Sequence, residues 1–453
     1  MTITLDADLA ALAEVRQKAD AGARAAKALE DADQGFLDTL VRAMSQAGYA
    51  ASEELARLAA DETGYGVYED KVVKNRFNTG FVADWMLERR AVGVLWVDEE
   101  RKVTAIGSPM GLIAGIIPVT NPTATVLFKS LAAVKAGNAI VHAPHPRAAR
   151  CSNLAAEIMA EAAVKAGAPE GIIGCLTTPT LEATAALMRH RAVRLVLATG
   201  GPGMVAAAYS SGKPTIAVGA GNVPAYVDAS VPDVREAATM IIASKSFDNG
   251  TACVAEQSVV AHAAIADELF RALEAEGALW LDREQQRRLS AAIFDDRGGL
   301  RPDAVGQSAN RLAELSGFAA PAGTKVLAAR LERVHKAEFL SREILGPVLS
   351  VYREPDSDAG WRRAREILAL GGEGHSVAVH ATDPGYRQPE VDVDALRTLL
   401  DGRYREVRDL VRANLAEHAQ ILLDQEEKSR ADFRERVKDV VVMMAETGQA
   451  GMG

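Results

Sequence analysis

Residues 111–144 read GLIAGIIPVTNPTATVLFKSLAAVKAGNAIVHAP. Two short apolar runs, GLIAGIIPV at 111–119 and NAIVHAP at 138–144, flank a stretch with helical patterning around Phe128 to Ala136. A short continuous apolar run is typical of a strand that is buried on both faces. A strand, a helix and a second strand in succession form a parallel βαβ unit, which predicts an α/β fold.

The same alternation continues along the chain. The runs VRLVLATG at 193–200, TIAVGAG at 215–221 and PAYVD at 224–228 are further predicted strands, with helical stretches between the predicted strands. From about Val234 the cycle begins again and continues to LGPVLSVYR at 345–353. We therefore expect two Rossmann-like, doubly wound domains, at 1–225 and 226–382.

Other segments surround these two predicted domains. From Leu9 to Glu88 the apolar spacing predicts several amphipathic helices, with breaks at Gly48 and Gly64. Val92 to Ala105 predicts a β arm, at about 92–107. After DPGYRQPEV at 383–391, the chain becomes rich in charged residues at helical spacing, which predicts a helical tail over 383–453.

Composition restricts the class of function. The formal charge is −10 and the pI is near 5.5, with no block of Lys and Arg, so nucleic acid is disfavoured as a partner. The three cysteines have no Cys-x-x-Cys spacing, which argues against a zinc site and for a reducing compartment. From the cysteine spacing we expect no metal site. No secretory signal or membrane-spanning run is recognised, so we expect a cytoplasmic protein.

Cys253 is the candidate nucleophile. It ends FDNGTAC at 247–253, a turn of small residues where a thiol can be exposed and its anion can be stabilised by backbone N–H dipoles. An inert buried cysteine is the alternative for such a residue. We expect that alternative to hold for Cys151, in a helical stretch, and for Cys175, in an apolar run.

Two further stretches lie at the ends of predicted strands. Asn121 follows GLIAGIIPV and precedes Pro122, so its carboxamide could donate to a developing oxyanion, an interaction worth roughly 3 kcal/mol. A plain Asn-Pro turn is the alternative. The N–H groups of ATGGPGM at 198–204 could bind a pyrophosphate, although the stretch lacks a GxGxxG pattern and a simple glycine turn fits equally well.

Taken in order, these stretches resemble the coenzyme A-acylating branch of the aldehyde dehydrogenase superfamily, over about residues 9–382. HAPHPRA at 142–148, FDNGTACVAEQSVV at 247–260 and EILGPVLSVYR at 343–353 contribute to the resemblance. It implies that Cys253 attacks an aldehyde and that Asn121, with the Cys253 N–H, holds the oxyanion. It makes 1–225 the nicotinamide-binding domain and 226–382 the catalytic domain, which is predicted to be incomplete.

The resemblance also assigns the cofactor-binding residues. Glu343 would accept hydrogen bonds from the nicotinamide ribose, and the turn at 199–203 would lie along the pyrophosphate. His142, His145 and Arg147 would lie at the mouth of the site, near cofactor and coenzyme A phosphates, although loop residues without a ligand are the alternative. The assigned set is Thr120, His142, Pro144, His145, Arg147, Thr199, Gly200, Gly201, Gly203, Gly219, Glu343 and Gly346.

Two features bear on the second half of the reaction. Hydrolytic relatives carry a glutamate just before a glycine turn, where this chain has AVGAGN at 217–222. Without that base, coenzyme A is the preferred acyl acceptor, and we expect a small aldehyde, coenzyme A and NAD or NADP as reactants. His375 matches a histidine near the catalytic pocket of the acylating branch, and a loop histidine without a catalytic role is the alternative.

The C-terminal part departs from the family pattern. LRTLLDGRYREVRDLVRANLAEH at 396–418 resembles the helical lead-in of acyl-coenzyme A oxidases and dehydrogenases. A recombined or truncated gene and a fused interaction tail are both consistent with it. Two other functions stay open: a hydrolytic aldehyde dehydrogenase using Glu256, and an inactive scaffold. Relatives pair through the arm and a C-terminal strand, so a homo-oligomer is expected if the C-terminus permits one.

Overall fold

The N-terminal part of the structure is helical. The computed structural model describes residues 7–371 and 375–382. Its first α-helices are α1 Ala7–Ala28, α2 Gln34–Ala50, α3 Ser52–Thr63, α4 Tyr68–Phe77 and, after a π turn at Asn78–Val82, α5 Ala83–Leu87. The predicted helical region is therefore confirmed. The break predicted at Gly64 is also confirmed, because this residue caps α3 with φ 69°.

The break predicted at Gly48 is wrong. Gly48 is buried inside α2, which continues to Ala50. A Cβ at this position would lie 2.8 Å from Cγ2 of Thr79 and 3.0 Å from Cδ2 of Leu127. The glycine therefore allows the close approach of neighbouring segments and does not end the helix.

An antiparallel hairpin follows the helices. Its strands are β1 Gly93–Asp98 and β2 Val103–Gly107, which confirms the predicted arm. Five of its apolar side chains are between 45% and 68% exposed: Val94, Trp96, Val97, Val103 and Ile106.

The first sheet is parallel and has the order β5-β4-β3-β6-β7. Its strands are β3 Leu112–Ile117, β4 Ala139–Pro144, β5 Ile173–Cys175, β6 Val193–Thr199 and β7 Thr215–Val218. The connecting helices are α6 Pro122–Lys135, α7 Ala149–Lys165, α8 Leu181–Arg189 and α9 Pro202–Tyr209. Every residue of β3 and β4 is buried, as their continuous apolar sequences predict.

The second sheet is also parallel and has the order β10-β11-β12-β9-β8-β13. Its strands are β8 Pro224–Val227, β9 Ser258–His262, β10 Ala278–Trp280, β11 Val326–Arg330, β12 Val348–Glu354 and β13 Ala378–His380. Its helices are α10 Val234–Ser246, α11 Ala263–Ala275, α12 Arg283–Ile293, α13 Ala309–Leu315 and α14 Ser357–Gly371.

These two sheets confirm the predicted α/β fold with two Rossmann-like halves. The chain passes from the first sheet to the second between Val218 and Pro224, so the boundary predicted at 225 falls inside β8. The division into two domains stays a prediction, and the predicted helical tail at 383–453 lies outside the described residues.

The strand order determines where a ligand can lie. In the first sheet the connections run from β3 outward through β4 to β5, and in the other direction from β6 to β7. This reversal opens a crevice beyond the carboxyl ends of β3 and β6, which is the usual ligand position in such sheets. The segments after both strands border one cleft.

Candidate active site

The cleft has a volume of about 1000 Å³ and contains most of the residues singled out from the sequence. A nicotinamide cofactor or a coenzyme A is a long molecule, and a volume of this size suits a ligand of that class. The predicted site residues that line it are Thr120, Asn121, Pro144, His145, Thr199, Gly200, Gly201, Gly219, Cys253 and Glu343. These residues come from segments that are far apart in the sequence.

A strained turn presents Cys253 to the cleft. The 3₁₀ segment Phe247–Gly250 contains two residues in the left-handed region, Asp248 at φ 49° and Asn249 at φ 51°. Asp and Asn tolerate this region better than most residues. The hydroxyl of Thr251 donates to Asp248 Oδ2 at 2.7 Å, which closes the turn just before the nucleophile.

The Cys253 thiol is half-buried, and its environment favours the protonated form. Burial raises the pKa of the thiol, and the nearby carboxylate of Glu343 raises it further. The backbone N–H groups of Cys253 and Val254 and the ammonium of Lys74 act in the opposite direction. The predicted N–H dipoles are therefore present, but burial outweighs them, and the thiol must lose a proton before it attacks.

Asn121 lies directly before α6 and reaches the nucleophile loop. Its Nδ2 donates to the carbonyl oxygen of Thr251 and to Oγ1 of Thr120, both at 3.1 Å. Its Oδ1 accepts a hydrogen bond from Lys74 Nζ at 2.7 Å. The donor side of the carboxamide thus faces the loop that carries Cys253.

A buried ionic cluster under this loop was missed by the sequence reasoning. The fully buried carboxylate of Asp248 accepts from Lys74 Nζ at 2.6 Å, Lys71 Nζ at 3.1 Å and the Val67 N–H at 2.6 Å. Burial by itself would raise the pKa of Asp248, but the two ammonium groups hold it below its usual value. The three-residue spacing of the lysines on α4 was the available signal.

Glu343 is held at the other side of the cleft. Its Oε1 accepts a hydrogen bond from the Gly221 N–H at 2.8 Å. Burial raises the pKa of Glu343 to about 7, against the effects of this N–H and of Lys245. Lys245 also donates to the Ile344 carbonyl at 3.1 Å, and Gln257 Oε1 accepts from the Ile344 N–H at 3.0 Å, so the loop is tied down next to the carboxylate.

His375 lies beside the nucleophile loop although it does not line the cleft. A Cβ on Gly221 would lie 2.9 Å from Cε1 of His375 and would overlap the carbonyl oxygen of Cys253. The ring and the nucleophile backbone therefore flank the same glycine. Burial lowers the pKa of His375, and its Nδ1 has no hydrogen-bond partner within the described residues. Its catalytic role stays a prediction.

The predicted position of His142 is wrong. The side chain is fully buried in β4, with Nε2 2.9 Å from Ser130 Oγ. Burial, together with the charge of Lys129, lowers the pKa of His142 to about 3. Because β4 is a central strand covered on both faces, a side chain within it cannot reach the mouth of the cleft. Its place at the mouth is taken by His145, which follows the strand.

Three other assigned residues do not line the cleft. The guanidinium of Arg147 donates to the Tyr65 hydroxyl at 2.8 Å and to the Thr63 carbonyl at 3.0 Å, so it is already bonded to α3 and the loop after it. Gly203 lies inside the first turn of α9. Gly346 packs its carbonyl against Gly250 of the nucleophile turn.

The remaining cysteines and the alternative base are also absent from the cleft lining. Cys151 and Cys175 are buried, and burial raises the pKa of both thiols far above the usual value, which agrees with inert structural residues. Glu256, the base required by a hydrolytic mechanism, does not line the cleft. No helix in residues 7–371 or 375–382 has the length and apolar character that crossing a membrane requires.

Comparisons with known proteins agree with this geometry. Residues 2–286 match the sequence model of the aldehyde dehydrogenase family. The bifunctional aldehyde-alcohol dehydrogenase AdhE of Escherichia coli K12 is 39% identical over 380 residues, which cover 84% of this chain and 42% of that protein. The chain thus spans about two fifths of the length of this curated relative.

Solved structures give a similar result. An acetylating aldehyde dehydrogenase from Geobacillus thermoglucosidasius superposes with a TM-score of 0.81 and 42% identity, over 84% of each chain. A propionaldehyde dehydrogenase from Rhodopseudomonas palustris, solved with bound coenzyme A and an acylated cysteine, superposes with a TM-score of 0.72 and 30% identity, over 82% of this chain and 83% of that one.

Proposed function

Because this chain belongs to the aldehyde dehydrogenase family, we propose that it oxidises a small aldehyde with NAD or NADP and passes the acyl group to coenzyme A. The products are an acyl-coenzyme A and the reduced cofactor. Cys253 carries the acyl group as a thioester between the two halves of the reaction. The acetylating and coenzyme A-bound relatives support this branch of the family.

The observation that carries the proposal is the composition of the cleft wall around Cys253. Gly219 and Ala220 line the cleft, and the segment AVGAGN at 217–222 to which they belong has no glutamate before its glycine turn, where hydrolytic relatives carry one. Among the described lining residues, Glu343 is the one carboxylate, and it accepts the Gly221 N–H. Water entering this cleft meets no carboxylate at the position of the hydrolytic glutamate, whereas a coenzyme A thiol is a stronger nucleophile than water.

The chain supplies the groups that stabilise the attack. The sulfur of Cys253 adds to the aldehyde carbon, and negative charge develops on the aldehyde oxygen. The Asn121 Nδ2 and the Cys253 backbone N–H are the proposed donors to that oxygen, and each donor contributes roughly 3 kcal/mol to the transition state. The position of Asn121 beside the Thr251 carbonyl, two residues before the nucleophile, supports this assignment.

The cleft fits a nicotinamide cofactor. The β6–α9 turn brings Thr199, Gly200 and Gly201 to the cleft wall, and its backbone N–H groups suit a pyrophosphate. The carboxyl oxygens of Glu343 can accept hydrogen bonds from the ribose hydroxyls, and because the pKa of Glu343 is raised to about 7, the stronger, ionised acceptor prevails above that pH. A nicotinamide held there would supply the acceptor for the hydride that is lost from the aldehyde carbon.

The decisive assay supplies candidate aldehydes with NAD or NADP, with and without coenzyme A, and follows the absorbance of the reduced nicotinamide. Sustained turnover is expected only with coenzyme A. Equal rates without it would refute acyl transfer. Cys253→Ser is expected to abolish turnover, and Cys151→Ser is the matched control, because Cys151 is buried away from the cleft.

We also propose that the chain forms a homo-oligomer through the β1–β2 arm. Trp96 and Val103 are about half exposed, and the strand pairing puts them on one face of this hairpin. They support the proposal, because neighbouring exposed apolar side chains mark interaction surfaces. Light scattering is expected to give a multiple of the chain mass and to give a smaller mass for Trp96→Glu. A monomer at assay concentrations would overturn it. The three free cysteines suit a cytoplasmic location.

A further inference from the structure

We propose that Lys74 is a positioning residue that fixes the carboxamide of Asn121 with its N–H donors turned towards the nucleophile. The inference rests on the proposed role of Cys253 in forming a tetrahedral oxyanion. Lys74 comes from α4, 47 residues before Asn121 in the sequence, and its Nζ lies 2.7 Å from Asn121 Oδ1.

A carboxamide works as an oxyanion donor in only one of its two orientations. Rotation by 180° exchanges the donor Nδ2 with the acceptor Oδ1, and a lone pair would then face the developing negative charge. The ammonium of Lys74 has three N–H donors and no acceptor, so only Oδ1 can face it favourably. Its contact with Asn121 therefore selects the orientation in which Nδ2 faces the Thr251 carbonyl.

Lys74 is itself held in place by all three of its N–H donors. Besides Asn121, its Nζ donates to Asp248 Oδ2 at 2.6 Å and to Thr251 Oγ1 at 3.1 Å. Its side chain is 14% exposed, and that of Asp248 is fully buried. Hydrogen bonds to ionised groups are shorter and stronger than neutral ones, so this tripod holds the ammonium firmly.

The second N–H of the Asn121 carboxamide is the one that would donate to the substrate oxyanion. In the unliganded chain this N–H meets Oγ1 of Thr120, which also lines the cleft. An oxyanion beside Cys253 is a better acceptor than a neutral hydroxyl, so this N–H can exchange its hydrogen bond to Thr120 for one to the oxyanion. The contacts with Lys74 and Thr251 keep the amide plane fixed meanwhile. The positive charge of Lys74 also favours the Cys253 thiolate, so acylation rates are compared per thiolate, from the pH profile of each variant.

Lys71 provides a matched control on the same helix face. Its Nζ contacts Asp248 at 3.1 Å and the Thr120 carbonyl at 3.4 Å, but it makes no hydrogen bond to Asn121. Lys71→Met and Lys74→Met each remove one buried ammonium from Asp248. Only the second removes the contact that orients the carboxamide.

The test is a double-mutant cycle on acylation of Cys253 by 4-nitrophenyl acetate, without cofactor or coenzyme A. The thiolate sulfur adds to the ester carbonyl carbon and forms a tetrahedral oxyanion. When this oxyanion collapses, 4-nitrophenolate departs and the acetyl group stays on the sulfur as a thioester. The burst of nitrophenolate gives the acylation rate, and thermal unfolding checks that each variant is folded. The reaction is independent of aldehyde oxidation, so its result stands even if the proposed function fails.

The cycle has a definite expected result. Asn121→Ala is expected to slow acylation by about 100-fold or more, and Lys74→Met by about 10- to 100-fold. In the Asn121→Ala background, Lys74→Met is expected to cost less than about threefold, since interacting residues are not additive. Lys71→Met is expected to lower the unfolding temperature while keeping acylation within about threefold of the parent.

Additive effects of Lys74→Met and Asn121→Ala would overturn the proposal, as would equal slowing by Lys71→Met. A parent chain that is not acylated at Cys253 would overturn it as well. If Lys74→Met does not fold, the same cycle with Lys74→Gln decides. Glutamine keeps an N–H donor, so a smaller loss is expected, and this loss must again disappear with Asn121→Ala.

Discussion

Asp248→Asn is predicted to destabilise the chain more than the loss of an ordinary carboxylate. Asn has nearly the same shape as Asp and tolerates the left-handed conformation at φ 49°. The substitution therefore changes the charge and leaves the turn in place. What remains is a buried pair of ammonium groups, Lys71 and Lys74, without their counter-ion.

The magnitude follows from the burial of this cluster. The Asp248 side chain is 0% exposed, and those of Lys71 and Lys74 are 4% and 14% exposed. Breaking a buried pair by removing one partner costs about 3–5 kcal/mol. Asp267 is a matched control, because its bridge to Arg353 at 2.9 Å is exposed. Asp267→Asn is expected to cost less than about 1 kcal/mol.

Urea denaturation of both variants at pH 7 measures the difference. The pH dependence supplies a second reading, because the pKa of Asp248 is lowered in the folded chain. A lowered pKa contributes stability above the unfolded value, and this contribution is lost as the pH falls through the folded value. The gap between the parent and Asp248→Asn should therefore close only in strong acid. Equal costs for the two variants at pH 7 would refute the reasoning.

Three other substitutions test Glu343, which lines the cleft, and two residues outside its lining. Glu343→Gln should stabilise the chain by up to about 3 kcal/mol above pH 7. Folding raises the pKa of Glu343 from 4.5 to about 7, so the free energy of unfolding of the parent falls as the pH rises across that interval. Equal denaturation curves of the parent and the variant at pH 8 would contradict this. Gly221→Ala should lower turnover by about 100-fold, because the new Cβ displaces the Cys253 carbonyl or the His375 ring, and a normally active variant would show that the contact is unimportant. Glu256→Gln should leave coenzyme A-dependent turnover unchanged, whereas a stable acyl-enzyme that no longer turns over would favour hydrolysis.

The sheets could be predicted because strands buried on both faces leave continuous apolar runs. GLIAGIIPV and NAIVHAP became β3 and β4, and the ends of the predicted strands indicated where Asn121 and the turn at 199–203 would lie. The residues that directly follow a strand can be identified from the sequence alone, so their position at the sheet edge is predicted without any knowledge of the tertiary contacts. The same run also contained the signal that His142 was misassigned, because a residue inside a buried strand cannot lie at a cleft mouth.

The ionic cluster could not be predicted in the same way. Lys74 and Asp248 are 174 residues apart in the sequence, and their contact depends on how α4 packs against the nucleophile turn. In the charged helix YEDKVVKNRF, the three-residue spacing puts Lys71 and Lys74 on one face, but lysines usually face solvent. Only the tertiary structure reveals that the side chains of Lys71 and Lys74 are 4% and 14% exposed. The bond between Gly221 and Glu343 likewise joins segments from distant parts of the chain.

The most direct test of the thioester on Cys253 is the mass of the peptide that contains it, after the chain has been incubated with aldehyde and NAD or NADP but no coenzyme A. The account predicts an acyl adduct on the sulfur, and its loss to an acyl-coenzyme A when coenzyme A is added. Continued oxidation of the aldehyde with the Cys253 peptide unmodified would contradict it.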